Sequence, residues 1–411
     1  MTENAERGTA TGSLPVFPLD RRKCPLSIPQ EYEAMRADEP VAKVINRMTG
    51  KPAWALTRYA DVRQVLGDPS MSSDARNPGY PHQFQVPEEM LPYIAFPFAA
   101  MDPPEHAVRR RMVIPEFTAK RIAELRPRTQ AIVDARIDDM LAKGGPVDLV
   151  AELAVPVPSL QFCEMLGADP EHIGYFRDYA ETTTGRDSSM EAVAGAIAQM
   201  DEFLDELITE KTHTPGEDLL SRIAAKLPEE PTLEHDDLVA IARLLVIAGS
   251  DTTANIISLG TLVFLEHPKQ LAEVRRDPSL LPGAIEELLR FLSILDSATV
   301  RVATKDIELA GGEIVREGEG VLALNGAANW DPSRYPDPHR FDIHRDAEGH
   351  MAFSYGNHMC PGANLARMQL EVVFGTLFSR IPDLRLAAPA DELPYMFDAH
   401  AYGLHELPVT W

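Results

Sequence analysis

The sequence predicts a mainly α protein with minor β content, and three observations carry that prediction. Apolar residues recur at helical spacing through most of residues 119–291. Strand-like runs are confined to an early stretch near 41–57 and a late one near 299–345. The longest apolar segment, Leu238 to Leu265, is interrupted by Arg243, Asp251 and Asn255 and lacks the aromatic and basic flanks of a membrane span. It reads as a long helix buried in a soluble protein.

In order along the chain, residues 1–18 are polar, without the apolar core of a signal peptide, and read as a flexible tail. Val41–Asn46 and Ala53–Thr57 flank Thr49-Gly50 as a hairpin, and Tyr59–Leu66 forms a short amphipathic helix stopped by Gly67-Asp68-Pro69. Met71 to Ala99 is rich in Pro, Ser, Gly and aromatic residues without a period, as in a lid or binding loop. Met101-Asp102-Pro103-Pro104-Glu105-His106 opens the next helix, and helices with short breaks continue to about Pro228. After the buried helix come helices at Pro268–Asp277 and Pro282–Phe291, then a small sheet and irregular chain to Arg345.

No linker, charge run or repeat divides the 411 residues, so 19–411 reads as one domain, and 45% hydrophobic content is ample for a large core. Lys plus Arg is 39 against 63 Asp plus Glu, a net charge of −24. That acidity argues against nucleic acid or an anionic membrane as a partner. Cys24, Cys163 and Cys360 make neither a disulfide framework nor a paired zinc spacing, which fits a reducing, cytoplasmic setting.

Two stretches point to chemistry. In Phe353-Ser354-Tyr355-Gly356-Asn357-His358-Met359-Cys360-Pro361-Gly362 a cysteine sits in a Gly/Pro-bracketed loop before a helical segment, Ala363 to Arg380. A helix N-terminus favours thiolate over thiol. The residues alone leave Cys360 as a metal ligand, a nucleophile, a redox centre or a small buried hydrophobe. The bracketing glycines suit close approach of the backbone to a flat ligand. Within the long helix, Ala248-Gly249-Ser250-Asp251-Thr252-Thr253 places a carboxylate beside a hydroxyl on one stripe with Ala248 and Asn255. Thr252 can bond back to a carbonyl one turn earlier. The pair is either a water-satisfied kink or a proton relay at a dry site.

Together these stretches resemble the cytochrome P450 family of haem-thiolate monooxygenases. Glu287 and Arg290 in Glu-x-x-Arg, Pro338-His339-Arg340-Phe341, and the ending Glu406–Trp411 add to the resemblance, the last to a soluble bacterial branch. The resemblance implies a single-domain P450 fold holding haem b between the central helix and the cysteine loop. It implies Cys360 as iron ligand, with His106, Arg110, Ala248, Arg301, Phe353, Gly356, His358 and Gly362 around the haem. Asp251 and Thr252 would handle protons. Glu287, Arg290 and Arg340 would form a buried structural ion network. Pro361 and the pair Ser354-Tyr355 depart from the usual family pattern and are expected to tune only the stiffness of the loop.

The resemblance further places a substrate pocket at Ile94, Phe96, Leu244, Leu295, Thr299 and Phe397, with Asp296 and Ser297 as added polar anchors. These residues suit a bulky lipophilic molecule of polyketide, macrolide, steroid or terpenoid kind. The reaction expected is insertion of one atom of O2, chiefly hydroxylation, by a monomer. A ferredoxin and its reductase would supply electrons, docking near Arg109, Arg111 and Arg367. A haem sensor or carrier without turnover would leave Asp251 and Thr252 idle, and a peroxygenase generally dispenses with that pair. A zinc protein or cysteine hydrolase lacks spaced ligands or an oriented base.

Overall fold

In the computed structural model, the long apolar segment is the helix around which the others pack. The structure describes residues 14–411 except 20, 23–24, 84–96, 185–187, 296–298 and 398. Cys24, Ile94, Phe96, Asp296 and Ser297 therefore lie outside the described residues.

The helices used below are α1 Glu31–Asp38, α2 Tyr59–Gly67, α3 Glu105–Val113, α4 Ala119–Lys143, α5 Pro156–Leu166, α6 Ile173–Thr184, α7 Met190–His213, α8 His235–Glu266, α9 Pro268–Arg276, α10 Leu281–Leu292 and α11 Ala363–Arg380. Helix α8 starts at a reciprocal cap in which the Glu234 N–H donates to Asp237, and acidic Asp236 and Asp237 face the positive end of its dipole. It is long and apolar enough to cross a membrane by length and composition. Yet 67% of its most apolar window is buried against α5, α6, α7, α10 and α11, which makes it the core helix of this fold.

The expected hairpin is β2 Val41–Asn46 with β3 Pro52–Leu56. It belongs to a six-stranded sheet with β1 Val16–Phe17, β4 Met71–Ser72, β5 Thr299–Ala303 and β6 Gly320–Ala323, in the order β1-β2-β3-β6-β5-β4. Its β1 corrects the expected tail over 1–18. Val16 and Phe17 pair in parallel with Ile45 and Asn46, and Phe17 is buried and stacked on Tyr32. An aromatic side chain with a ready partner holds the chain down from Val16 onward. In β5, Thr299 and Arg301 are two residues apart and so face the same side of the sheet.

The structural ion network needs a second correction. Glu287 and Arg290 are fully buried, and Arg290 Nε and Nη2 meet the two Glu287 oxygens at 2.6 and 2.9 Å. The third member is Arg345, whose Nε donates to Glu287 Oε1 at 3.1 Å. Arg340 instead points outward with a 71% exposed side chain, 3.7 Å from Asp342. Its contribution is its carbonyl, which together with those of Pro336 and Asp337 wraps the Arg345 guanidinium.

Candidate active site

A cavity of about 410 Å³ lies between α8 and the loop that precedes α11. Cys360 lines it, and its backbone N–H donates to the Phe353 carbonyl at 2.9 Å, folding the loop back on itself. Phe353, Gly362 and Leu365 complete this wall. Burial pushes the Cys360 thiol up. The N–H of Gly362, the charges of Arg110 and Arg367, and the N–H of Ala363 pull against that.

The two loop glycines turn out to have different reasons. A Cβ on Gly362 would find only the Cys360 sulfur, 3.8 Å away, so this glycine leaves the loop surface open to the cavity. Gly356 has φ +75, and a Cβ there would strike the Leu66 carbonyl at 2.3 Å. Contrary to expectation, it does not line the cavity. It is glycine because α2 presses on the back of the loop.

One end of the cavity is cationic. Arg110, Arg301 and His358 line it, and His106 stands behind with its ring 4.1 Å from that of His358. Arg301 is 5% exposed. Its Nη1 donates to the Val300 carbonyl at 2.7 Å, while its buried Nη2 has no partner among the described residues. His106 Nε2 is likewise buried and unpartnered there. Burial, then the charges of Arg301, His106 and Arg110, drive His358 down to about 3. Burial also lowers His106 and Arg301. Orphaned donors and crowded basic groups call for an anion. A haem, with two carboxylates and an iron that takes thiolate, fits this cluster over Cys360.

The opposite wall is α8. Leu244, Ile247, Ala248, Thr252 and Ile256 recur at three- and four-residue steps and line the cavity, with Gly249, Asp251 and Thr253 at the stripe's edges. Thr252 Oγ1 donates to the Ala248 carbonyl at 2.9 Å, and the helix stays α-helical through this bond. Asn255 was expected on the stripe but faces away. It is buried, its Nδ2 donates to the Ala401 carbonyl at 3.4 Å, and its amide covers Gly403. The 3.6-residue period carries the stripe from 252 to 256. Gly249 has a packing reason, since a Cβ there would fall 1.9 Å from the Phe162 ring.

Leu295 and Thr299 line the cavity, but Phe397 does not. Its ring lies 5.7 and 6.0 Å from those of Tyr395 and Tyr402, and its neighbours His400 and Ala401 reach the cavity in its place. Tyr80, Phe98, Phe162, Thr183, Asn325 and Gln369 also line it and were not singled out. Asn325 Nδ2 donates to Thr299 Oγ1 at 2.8 Å, and its Oδ1 is buried without a described partner. The β5–β6 pairing, which sets Thr299 opposite Ala323, could have flagged Asn325 just beyond it. Nothing in the sequence marked Tyr80 or Gln369.

The cations expected to receive an electron donor are already engaged. Arg109 pairs with Asp237 at 2.5 Å, Arg111 with Glu230 at 2.7 Å and Arg367 with Glu286 at 2.6 Å. Behind the cysteine loop, a second cavity of about 580 Å³ is lined by Arg110, Arg111, Ile114, Pro115 and Met359, among others.

The Cytochrome P450 family pattern matches residues 186–382. Over its whole length the chain is 42% identical to cytochrome P450 105A3 of Streptomyces carbophilus, covering 99% of that protein. It is 42% identical to pentalenic acid synthase of Streptomyces avermitilis, with 99% of this chain and all of that protein covered. The crystal structure of CYP105P1 in complex with filipin I superposes with a TM-score of 0.90 at 40% identity, covering 97% of this chain and 99% of that one. With a thiol facing an acid–alcohol stripe across a cation-ended cavity, and relatives matched from end to end, the chain belongs to the cytochrome P450 family and is a haem b monooxygenase.

Proposed function

We propose that residues 19–411 form one haem-binding domain that hydroxylates a bulky lipophilic molecule, with Cys360 as the iron ligand. The observation that carries this is the pairing of the half-buried Cys360 thiol with the orphaned Arg301 donor at the end of one largely apolar cavity. Arg301, His358, Arg110 and His106 hold the haem carboxylates, and Ala248, Phe353 and Gly362 border the ring. Bound there, haem b supplies the iron at which O2 is reduced and one oxygen atom is passed to substrate.

Each remaining role belongs to the chain. Thr252 spends its proton on the Ala248 carbonyl, so its oxygen faces the cavity as an acceptor and can hold a water in place. Asp251, at the edge of the same stripe, provides the carboxyl group from which that water is resupplied with protons. Leu244, Ile247, Leu295 and Ile256 exclude bulk water and receive apolar substrate surface. Thr299 and Asn325 supply a polar anchor.

Support for an organic small-molecule substrate comes from relatives whose names carry pentalenic acid and filipin I. Electrons come from a ferredoxin and its reductase. The surface best suited to receive that donor is the cavity behind the cysteine loop, where Met359 and Ile114 are exposed beside Arg110. We place the protein in the cytoplasm as a monomer. The test is Thr252→Ala in the haem-loaded enzyme with a surrogate ferredoxin system. Haem and substrate binding stay intact while product formed per reductant consumed falls about tenfold or more. Unchanged coupling contradicts the relay.

A further inference from the structure

Outside the cavity, one buried-to-surface cluster links α10 to the cysteine loop. Glu286 receives two hydrogen bonds from Arg367, from Nε at 2.6 Å and Nη2 at 2.8 Å. On its other side His350 Nε2 donates to Glu286 at 3.2 Å, while His350 Nδ1 accepts the Ala352 N–H at 3.2 Å. The Arg367 guanidinium lies over the Phe353 ring, 4.6 Å from its centre, and the Phe353 carbonyl accepts the Cys360 N–H. A continuous line of contacts therefore runs from Glu286 through Arg367 and Phe353 to the sulfur-bearing residue.

Arg367 thus stands one aromatic ring and one hydrogen bond from Cys360. Arg110, whose Nη2 donates to the carbonyl of Met359 next to Cys360, has no carboxylate within ion-pair distance among the described residues, whereas Arg367 is paired with Glu286. We propose that Glu286 is a positioning residue that sets the charge Arg367 presents to the Cys360 sulfur, and thereby the reduction potential of the iron bound there. This rests on Cys360 being the iron ligand.

Reduction adds negative charge to the site, so uncovered positive charge nearby favours the reduced state and uncovered negative charge opposes it. Glu286→Gln leaves Arg367 without its counter-charge and moves the midpoint potential up. Arg367→Gln leaves Glu286 uncovered and moves it down. Packing damage alone has no reason to move the two variants in opposite directions. Arg367→Lys keeps the charge while losing the two-pronged hydrogen bond.

The experiment is spectroelectrochemical titration of haem-loaded wild type, Glu286→Gln, Arg367→Gln and Arg367→Lys, each checked by its ferrous–carbonyl spectrum for thiolate ligation. Shifts of opposite sign in the two glutamine variants, with Arg367→Lys near wild type, are expected. Shifts of the same sign, no shift, or a lysine variant displaced as far as Arg367→Gln overturn the proposal. If Glu286→Gln fails to retain haem, a lowered potential in Arg367→Gln with Arg367→Lys near wild type supports the proposal, and any other pattern in these two overturns it. A wild type without thiolate ligation would instead defeat the assignment of Cys360, and would overturn this proposal with it.

Discussion

Arg290 and Arg301 are both arginines buried in the same chain, and they sit in opposite surroundings. Arg290 has its guanidinium filled: Glu287 takes Nε and Nη2, the Asn329 carbonyl takes Nη1 at 2.8 Å and the Pro338 carbonyl takes Nη2 at 3.0 Å. Arg301 makes one bond to its neighbour's carbonyl and leaves Nη2 buried and unpartnered at a cavity wall. A buried charge satisfied by its own chain belongs to the fold. One left open at a cavity is reserved for something the chain does not contain. Arg367 stands between these extremes, paired with Glu286 but partly exposed and within electrostatic reach of Cys360.

The contrast breaks most clearly at Glu287. Glu287→Gln leaves Arg290 as a buried, uncompensated cation and should lower stability by about 3–5 kcal/mol, read by urea unfolding. An effect under about 1 kcal/mol would mean that Arg290 is solvated after all. Arg301→Leu should do the reverse. Haem-free stability stays the same or rises, while haem affinity drops by roughly 10- to 100-fold, about 1.5–3 kcal/mol, in a haem-transfer assay. Loss of stability without loss of haem affinity would move Arg301 into the class of Arg290.

Glu286 sharpens the intermediate case through pH. Burial pushes its carboxyl up, but hydrogen bonds and charge from Arg367 and His350 outweigh that and bring it down to about 2. A folded-state value below the unfolded one means that the contribution is fully present above about pH 4.5 and is lost as pH falls toward 2. Glu286→Gln should therefore lose about 1–2 kcal/mol at neutral pH and show a flatter acid limb in this window. Parallel acid limbs for the two proteins would contradict the assignment.

The smallest effect concerns backbone rather than charge. Ser354 has φ +61 and ψ −165, a region nearly exclusive to glycine, and its Oγ is buried without a described partner. The departure expected to alter only loop stiffness thus holds strain. Ser354→Gly should raise the melting temperature, with a gain of about 1 kcal/mol after the entropy of glycine is subtracted. A lower melting temperature would show that the hydroxyl has a use that outweighs the strain.

Legibility in the sequence followed distance along the chain. Cys360 with its loop, and Ala248 to Thr252 on α8, are contiguous stretches whose spacing exposes their geometry, down to the Thr252 bond to Ala248. Asn255 was misplaced because a stripe extended by fixed steps drifts from the true period. Arg345 was missed because its bond to Glu287 spans 58 residues, strands and irregular chain among them, and Arg340 belongs to the recognisable stretch. Gly356 was explained by the wrong neighbour, since its contact with Leu66 is formed only once α2 has packed. Phe397 and His400 are three residues apart in a stretch of sequence without a period to say which side chain points inward. Tyr80, Thr183 and Asn325 converge on the cavity from three distant segments, a relation that only folding creates.

The measurement closest to the centre of this account is the ferrous–carbonyl absorption spectrum of haem-loaded wild type and Cys360→His. Wild type should show the strongly red-shifted Soret band of thiolate-ligated iron, and Cys360→His should lose it for the band of a histidine-ligated haem while still retaining haem through Arg301, His358, Arg110 and His106. A red-shifted band that survives in Cys360→His, or is missing from wild type, would contradict Cys360 as the ligand.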